Sequence, residues 1–154
     1  MSFIYERGRE AFLNGQISWG NDNIKIVPLN SNYVGGATAQ FAHQYYSDIS
    51  AYVIQSNEYC ITLGSKTSNL SVALGTQGGV AGAANCTFHS IVTGLTFSYL
   101  AIFKDTAVTV NGQPATPGTA PLIALIDSGY GIGLQTNGGD ISITFDPVNK
   151  IFVL

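Results

Sequence analysis

The last third of the chain reads as one β-strand after another, and two of these strands are apolar on both faces. In TFSYLAIFK, residues 96–104, one face carries Phe97, Tyr99, Ala101 and Phe103, and Leu100 and Ile102 add apolar side chains to the other face. PLIALID has no polar residue before Asp127. Strands of this kind lie in the centre of a sheet or against another subunit. GDISITF alternates apolar and polar residues, which predicts a half-solvated antiparallel strand. These are more apolar faces than we expect one small domain to bury.

The rest of the chain predicts an all-β fold, a β-sandwich or partly open barrel, with one short N-terminal α-helix. The helix is expected over residues 2–14, with Ser2 as its N-cap and Asn14-Gly15 as its stop signal. Gly8 lies on the apolar stripe of this helix and predicts a close approach of another backbone. Further strands are expected in IKIVPL, EYCITLG, CTFHSIV and KIFVL.

Proline and glycine mark the connections between these strands. Pro28 cannot donate to a ladder and therefore predicts a sheet edge or a strand end. Long loops are expected at residues 64–85, 105–119 and 127–139, with a small ribbon at Val108 and Val110 inside the second. The segment 37–48 is expected to be a loop with a short helix, and Thr93-Gly94 a two-residue turn. All 154 residues are expected to form a single domain.

The low charge content indicates how the surface of this protein is used and argues against a nucleic-acid partner. Charged residues are 10% of the chain, against about 25% in an ordinary soluble domain. This favours a subunit that buries much of its surface against neighbours, and the alternative is a secreted β domain rich in hydroxyl and amide groups. The net charge is −3 and the six basic residues form no run, so we expect no nucleic-acid partner.

We also expect no membrane partner, because no apolar stretch reaches the roughly 18 residues of a spanning helix. The first residues lack the pattern of an export signal, which predicts a protein synthesised in the cytoplasm. Cys60 and Cys86 are therefore expected to be two small buried thiols rather than a disulfide.

Residues that could support catalysis are few, and we predict that the protein is not an enzyme. No acid or nucleophile stands near His43 or His89 at a spacing that local geometry would bring together, so both are expected to be hydrogen-bonded structural residues. The acids at strand ends are expected to cap turns. No spacing of Cys, His or Asp predicts a metal site, and no cofactor is expected.

Two ends of the chain carry a family resemblance. FLNGQISWGNDNIKIVPL near the start, and YLAIFKDT, APLIALID and TNGGDISITFD with KIFVL near the end, resemble small virion proteins of tailed bacteriophages, of the capsid decoration or cement type. The similarity covers about half of the chain and leaves residues 30–95 unmatched. The segment VTVNGQPATPGT, residues 108–119, is an insertion relative to the family pattern.

The resemblance implies a β-rich subunit on the capsid surface of the virion that binds and stabilises the assembled head. Its partners would be the major capsid protein and further copies of itself, with a trimer favoured. The alternatives are a carbohydrate-binding or receptor-binding module that stacks sugars on Trp19 or loop tyrosines, and a tail or head-completion subunit. The candidate interface residues, from the helix face, the turn after it and the insertion, are Phe3, Ile4, Phe12, Trp19, Pro114 and Pro117.

Overall fold

The computed structural model describes residues 3–70, 79–106, 113–127, 129, 132–145 and 151–154. Over these residues the fold is mostly strands in antiparallel sheets, with two α-helices, α1 (Glu6–Leu13) and α2 (Ala37–Ala42). The strands are β1 (Phe3–Ile4), β2 (Ile24–Asn30), β3 (Ile61–Thr62), β4 (Thr67–Leu70), β5 (Gly79–Gly82), β6 (Cys86–Phe88), β7 (Thr96–Lys104), β8 (Leu122–Ile126), β9 (Leu134–Gln135), β10 (Ile141–Ile143) and β11 (Phe152–Val153). Short 3₁₀ turns lie at Tyr46–Asp48, Ser50–Tyr52 and Pro117–Thr119.

The largest sheet has the strand order β1-β8-β7-β2-β3, with β9 paired to the start of β7. Its centre is the long antiparallel pair β2–β7, which runs in register from Ile24 opposite Lys104 to Leu29 opposite Tyr99, before a register shift places Asn30 opposite Phe97. Two smaller sheets, β10-β6 and β11-β5-β4, complete the described part of the fold, and none of these three sheets closes on itself. The predicted all-β class is confirmed.

Both faces of the central sheet are covered by this chain's own residues. One face packs with the small sheets, and its core includes Ile26, Leu100, Ile102, Phe88 and Phe152. The opposite face packs with the segment between β2 and β3, and its core includes Val27, Leu29, Ala101, Phe103, Tyr33, Tyr46 and Leu125. The expectation that β7 and β8 have too many apolar faces for one small domain is therefore wrong.

The N-terminal helix begins four residues later than predicted. Phe3 and Ile4 form β1, which pairs with β8 at Leu125 and Ala124, because backbone bonding to the edge of β8 stabilises an extended conformation there. The other side of β1 faces α2, where Gln40 Nε2 donates to the Ile4 carbonyl at 3.1 Å. Ser2 lies outside the described residues.

The two glycines that the sequence singled out in this region behave as predicted. The helix ends at Leu13, and Gly15 follows with φ of +67°, which a glycine adopts without strain. A Cβ atom added at Gly8 would lie 2.8 Å from both the Cα and the carbonyl oxygen of Ile123. Gly8 thus lets α1 pack directly on the backbone of β8.

Pro28 does not mark an edge, since β2 lies inside the sheet between β7 and β3. Alternate residues of β2 direct their backbone groups toward opposite neighbours. The Pro28 carbonyl points to the side of β2 on which β3 lies. β3 pairs with Lys25 and Ile26 and does not reach Pro28. There the Ile54 N–H donates to Pro28 O at 2.9 Å instead. The missing N–H therefore removes no bond between β2 and β7.

Several predicted connections are corrected by the pairing. β6 pairs with β10 and β7 with β2 and β8, so Thr93-Gly94 does not join a hairpin, although Gly94 has φ of +84°. The predicted loop 64–85 contains β4 and β5, and the predicted loop 127–139 contains β9.

Two other connections are as expected. The segment 37–48 holds the short helix α2 and a 3₁₀ turn. Residues 105–119 join two antiparallel neighbours, β7 and β8, so this segment is a long hairpin connection, and Lys104 N–H donates to Pro121 O at 3.0 Å at its base. The ribbon predicted at Val108 and Val110 lies outside the described residues.

Candidate functional site

Half of the six candidate interface residues are buried. Ile4 is 4% exposed, Trp19 is 8% exposed and Pro114 is also buried, whereas Phe3, Phe12 and Pro117 are half-buried. Ile4, with half-buried Phe12 packed against the same cluster, belongs to the core that covers one face of the central sheet. The apolar stripe of the N-terminal segment is therefore used mainly inside the fold of this chain.

Trp19 is held in the core by a polar and an aromatic contact. Its Nε1–H donates to the carbonyl of Gly82 in β5 at 3.1 Å, and its ring meets Phe152 of β11 edge to face at 5.1 Å. Because Trp19 is only 8% exposed, its indole offers too little surface for stacking on a sugar. Trp19 therefore gives no support to a carbohydrate site at this position.

Large apolar side chains are exposed on the two helices instead. Leu13 at the end of α1 is 87% exposed, and Phe41 in α2 is 64% exposed. Phe41 lines an open cleft of about 320 Å³ together with Glu6, Arg7 and Glu10 of α1. Leu13 follows Glu6 and Glu10 at helical spacing, so it continues the same side of α1. We call Glu6, Arg7, Glu10, Leu13 and Phe41 the α1–α2 surface.

The charges of the α1–α2 surface neutralise one another. Arg7 Nη1 lies 2.6 Å from Glu10 Oε2, and Arg9 Nε lies 3.7 Å from Glu6 Oε1. Gln40 also donates to Glu6 Oε1 at 3.2 Å. The two exposed apolar groups are thus bordered by short, locally balanced ion pairs, which leaves this surface without a strong field of either sign.

Sequence reasoning missed Leu13 and Phe41. Leu13 lies off the apolar stripe of the predicted helix, and Phe41 lies in the segment 37–48, where a loop with a short helix is predicted. The available signal was a large apolar residue among alanine, glutamine and threonine. Isolated exposed apolar residues are common, so this signal becomes useful only when the structure brings the two helices together.

The structure brings His89 to an acid, which the sequence spacing did not predict. β6 pairs with β10, and His89 Nδ1 lies 2.8 Å from Asp140 Oδ2 on the exposed side of this pair. The other Asp140 oxygen accepts the Ser90 N–H at 2.9 Å. This hydrogen bond and the Asp140 charge raise the pKa of His89.

An acid and an imidazole alone do not make a nucleophilic site. Among the described residues no hydroxyl or thiol donates to His89, and the buried Ser56 hydroxyl has no hydrogen-bond partner. The thiols of Cys60 and Cys86 are free, and burial raises their pKa values to about 12 and about 11. At neutral pH both therefore stay protonated and are weak nucleophiles.

His43 ends a hydrogen-bonded chain of buried phenols. Its Nδ1 lies 2.9 Å from the Tyr33 hydroxyl, which lies 2.8 Å from the Tyr5 hydroxyl. Burial is the main cause that raises the pKa of Tyr33 to about 12 and that of Tyr5 further. These hydrogen bonds link Tyr5, which follows β1, to the segment between β2 and β3 that covers one face of the central sheet. His43 is hydrogen-bonded as predicted.

The one buried ion pair in the described part of the chain joins β2 to the end of β7. Lys25 Nζ lies 2.9 Å from Asp105 Oδ2, with side chains only 7% and 0% exposed. Within the described residues no group of three or more His, Cys, Asp or Glu side chains is placed to hold a metal ion. None of the described helices is long and apolar enough to cross a membrane.

Comparisons with protein-family models, with curated proteins and with solved structures found no match to this chain.

Proposed function

We propose that this protein is a structural subunit of a bacteriophage virion, a capsid decoration or cement protein that binds the assembled head and stabilises it. The proposal rests on the resemblance of the two ends of the chain to such proteins and on the α1–α2 surface. It assigns the subunit to the capsid surface, with the major capsid protein as its partner. We further infer that the sheets are layers of a β-sandwich.

The α1–α2 surface is the observation that carries this proposal. Leu13 and Phe41 are exposed and belong to neither core cluster, so folding does not require apolar side chains at these two positions. Locally paired charges around them reduce the desolvation cost of covering this surface, because each ion keeps its partner. A neutral surface with an apolar centre is the usual composition of a protein–protein interface.

The low charge of the whole surface supports the same conclusion. The accessible surface is 7488 Å² and the chain has 15 charged residues, which is one per roughly 500 Å². Solubility of a free monomer usually depends on a higher charge density. Assembly into a small homo-oligomer, for which we favour a trimer at a threefold position of the shell, would bury part of this surface.

A decoration protein needs no catalytic residue, because it acts by mass action. Binding to the assembled shell but not to free coat subunits stabilises each site by about 2.7 kcal/mol when the free protein is at 100 times its dissociation constant. Repeated over many sites, this stabilisation resists the internal pressure of packaged DNA.

Binding to expanded empty shells tests the proposal. Phe41→Ser and Leu13→Ser should each weaken binding at least tenfold, because each removes an apolar group from the centre of the interface. Leu134→Ser is the matched control, since Leu134 is 53% exposed on β9 and is not part of the α1–α2 surface. All three variants should unfold within about 0.5 kcal/mol of the parent, because the side chains are exposed.

Three outcomes would contradict this proposal in different ways. Absence of the protein from purified particles, together with no affinity for shells, would remove the virion assignment. Equal loss of binding in all three variants would remove the α1–α2 surface as the interface. A closed ring of fixed number in mass photometry would favour the tail or head-completion alternative. Burial of Trp19 already leaves the sugar-stacking alternative without its main residue.

A further inference from the structure

An open cleft of about 470 Å³ lies between two edge strands, β3 of the central sheet and β6 of the small sheet. Backbone bonds join the two chain segments near both ends of the cleft. Ala84 N–H donates to Gly64 O at 2.9 Å at one end, and Asn57 N–H donates to His89 O at 3.1 Å at the other. The strands separate between these two bonds. We call this space the β3–β6 cleft.

Backbone strain is concentrated around the β3–β6 cleft. Among the described residues, three that are not glycine have positive φ, namely Tyr59 at +50°, Ser65 at +45° and Ser90 at +50°. Each adjoins a residue that lines the cleft: Tyr59 follows Glu58, Ser65 follows Gly64 and Ser90 follows His89. This conformation costs an ordinary residue about 1 kcal/mol or more, and such costs cluster at binding sites.

The cleft is lined by side chains that donate and accept hydrogen bonds in different directions. They include a carboxylate, two hydroxyls, a carboxamide, a thiol and an imidazole, from Glu58, Thr62, Thr87, Asn85, Cys86 and His89. Asn85 Oδ1 accepts the Phe145 N–H at 2.9 Å, and this bond fixes the orientation of the carboxamide. Asn85 Nδ2 then remains as a donor on a held side chain.

His89 is likewise held in place, by its bond to Asp140. Since Nδ1 makes this bond, Nε2 is the ring atom that remains for a ligand. Among the described residues, the lining contains one carboxylate, Glu58, and no lysine or arginine. These groups do not select an anion, and their mixture of oriented donors and acceptors is suited to hydroxyl groups.

We propose that the β3–β6 cleft binds a neutral polyhydroxylated ligand, a sugar, through Glu58, Thr62, Asn85 and His89. The volume lies within the range of small-molecule sites, about 300–1,000 Å³. In this site Glu58 accepts and Asn85 donates hydrogen bonds to adjacent ligand hydroxyls, and Thr62 does either. The site is formed by residues 58–64 and 84–89, whereas the α1–α2 surface lies on two helices, so the site stands or falls independently of the docking proposal.

A titration of the ¹⁵N-labelled full chain with glucose, galactose and N-acetylglucosamine, followed by amide NMR, tests this site. We expect saturable shifts for at least one sugar, confined to residues 57–65 and 84–90, with a millimolar dissociation constant. A parallel titration with the trimer of N-acetylglucosamine separates a site for a monosaccharide from a site for a longer glycan. Only a site for a longer glycan should bind the trimer more tightly than the monosaccharide.

Variants with little change of shape assign the contacts. Glu58→Gln, Thr62→Val and Asn85→Asp should each weaken binding about fivefold, the effect of one lost hydrogen bond. Asn85→Asp retains an oxygen to accept the Phe145 N–H. Thr144→Val is the control, because Thr144 is exposed just after β10 and outside the cleft, and it should bind as the parent does.

Either of two results would overturn the proposal. The first is the absence of saturable shifts for every sugar up to about 50 mM, which excludes even millimolar affinity. The second is saturable binding that produces shifts elsewhere and is unchanged in the Glu58 and Thr62 variants. Amide spectra of the variants that overlay on the parent outside the cleft show that each variant is folded.

Discussion

His89 and Asp140 are separated by 51 residues in the chain and form a 2.8 Å contact because β6 pairs with β10. The bond raises the pKa of His89 above its ordinary value of 6.5, with a smaller contribution in the same direction from Glu58. The pKa of Asp140 is lowered below 3.8, mainly by the hydrogen bond from the Ser90 N–H and to a smaller extent by the hydrogen bond with His89. Each group therefore stabilises the charged form of the other on the protein surface.

These directions predict a pH window for the pair. Because the His89 pKa is raised, its stabilisation is complete below pH 6.5 and is lost as the pH rises through the folded-state value. Because the Asp140 pKa is lowered, its stabilisation is present above pH 3.8 and is lost as the pH falls through the folded-state value. Both contributions are therefore present between these limits.

Asp140→Asn should lower the melting temperature more at about pH 5.5 than at about pH 8.5. The asparagine still accepts the Ser90 N–H through its Oδ1, while its NH2 group replaces the charged oxygen that faces His89 Nδ1. NMR titration of the His89 ring should give a lower pKa in the variant. Added salt should reduce the difference, because both side chains are exposed. An unchanged His89 titration would show that the bond does not persist in solution.

At the scale of elements, α1 rests on β8 with almost no space between the two backbones. The Gly8 position has no room for a Cβ atom, since Ile123 Cα and O would both lie 2.8 Å away. These are backbone atoms in a strand paired on both sides, so they cannot move without disturbing the sheet. The sequence predicted a close approach at Gly8, but it could not say which backbone approaches.

Gly8→Ala should therefore destabilise the protein by about 1–3 kcal/mol, the usual cost of overpacking. The sign is informative, because alanine in an unconstrained helix would stabilise by about 1 kcal/mol. Urea unfolding at equilibrium measures the difference. Gly20→Ala is the control, since no atom of the described residues lies within 4 Å of a Cβ there. A variant more stable than the parent would show that α1 is not held against β8.

The start of the chain shows why element boundaries were harder to predict than elements. The amino-acid types of residues 2–14 are compatible with a helix throughout, and a helix does form at Glu6–Leu13. Phe3 and Ile4 are extended because the edge of β8 offers unpaired backbone groups beside them. That edge is formed about 120 residues later in the chain, so no local pattern reports it.

At the scale of the whole molecule, one core joins the central sheet to both small sheets. The cluster that contains Ile26 and Leu100 of the central sheet also contains Phe88 of β6, Ile143 of β10 and Phe152 of β11. Elements that share a core of this kind lose their stabilisation together. The small sheets, with strands of two to four residues, are too short to be stable alone.

We therefore expect one cooperative unfolding transition. Trp19, the single tryptophan, packs on Phe152 of the sheet β11-β5-β4, so its fluorescence reports on that sheet. Far-UV circular dichroism reports mainly on the larger central sheet. The two signals should give the same urea midpoint and the same slope. Loss of the Trp19 signal at a lower urea concentration would show that the small sheet unfolds by itself.

The sequence alone predicted strands at β2, β3, β6, β7, β8, β10 and β11, but not at β1, β4, β5 or β9, and it predicted that β7 and β8 are covered on both sides. The apolar runs in β7 and β8 and the alternation near β10 report burial directly, because the side chains of a strand point alternately to its two faces. The sequence did not determine what covers those faces. The structure supplies the chain's own aromatic residues and small sheets as the cover, whereas the pattern had favoured a neighbouring subunit.

Only the tertiary structure decided which residues remain for partners and ligands. Trp19 and Ile4 are taken into the core, while Leu13 and Phe41 stay exposed, although all four are large and apolar. The polar groups of the β3–β6 cleft come from two segments that lie about 25 residues apart. Exposure and proximity depend on how distant strands pair, and a single sequence contains the local preferences for that pairing but not its outcome.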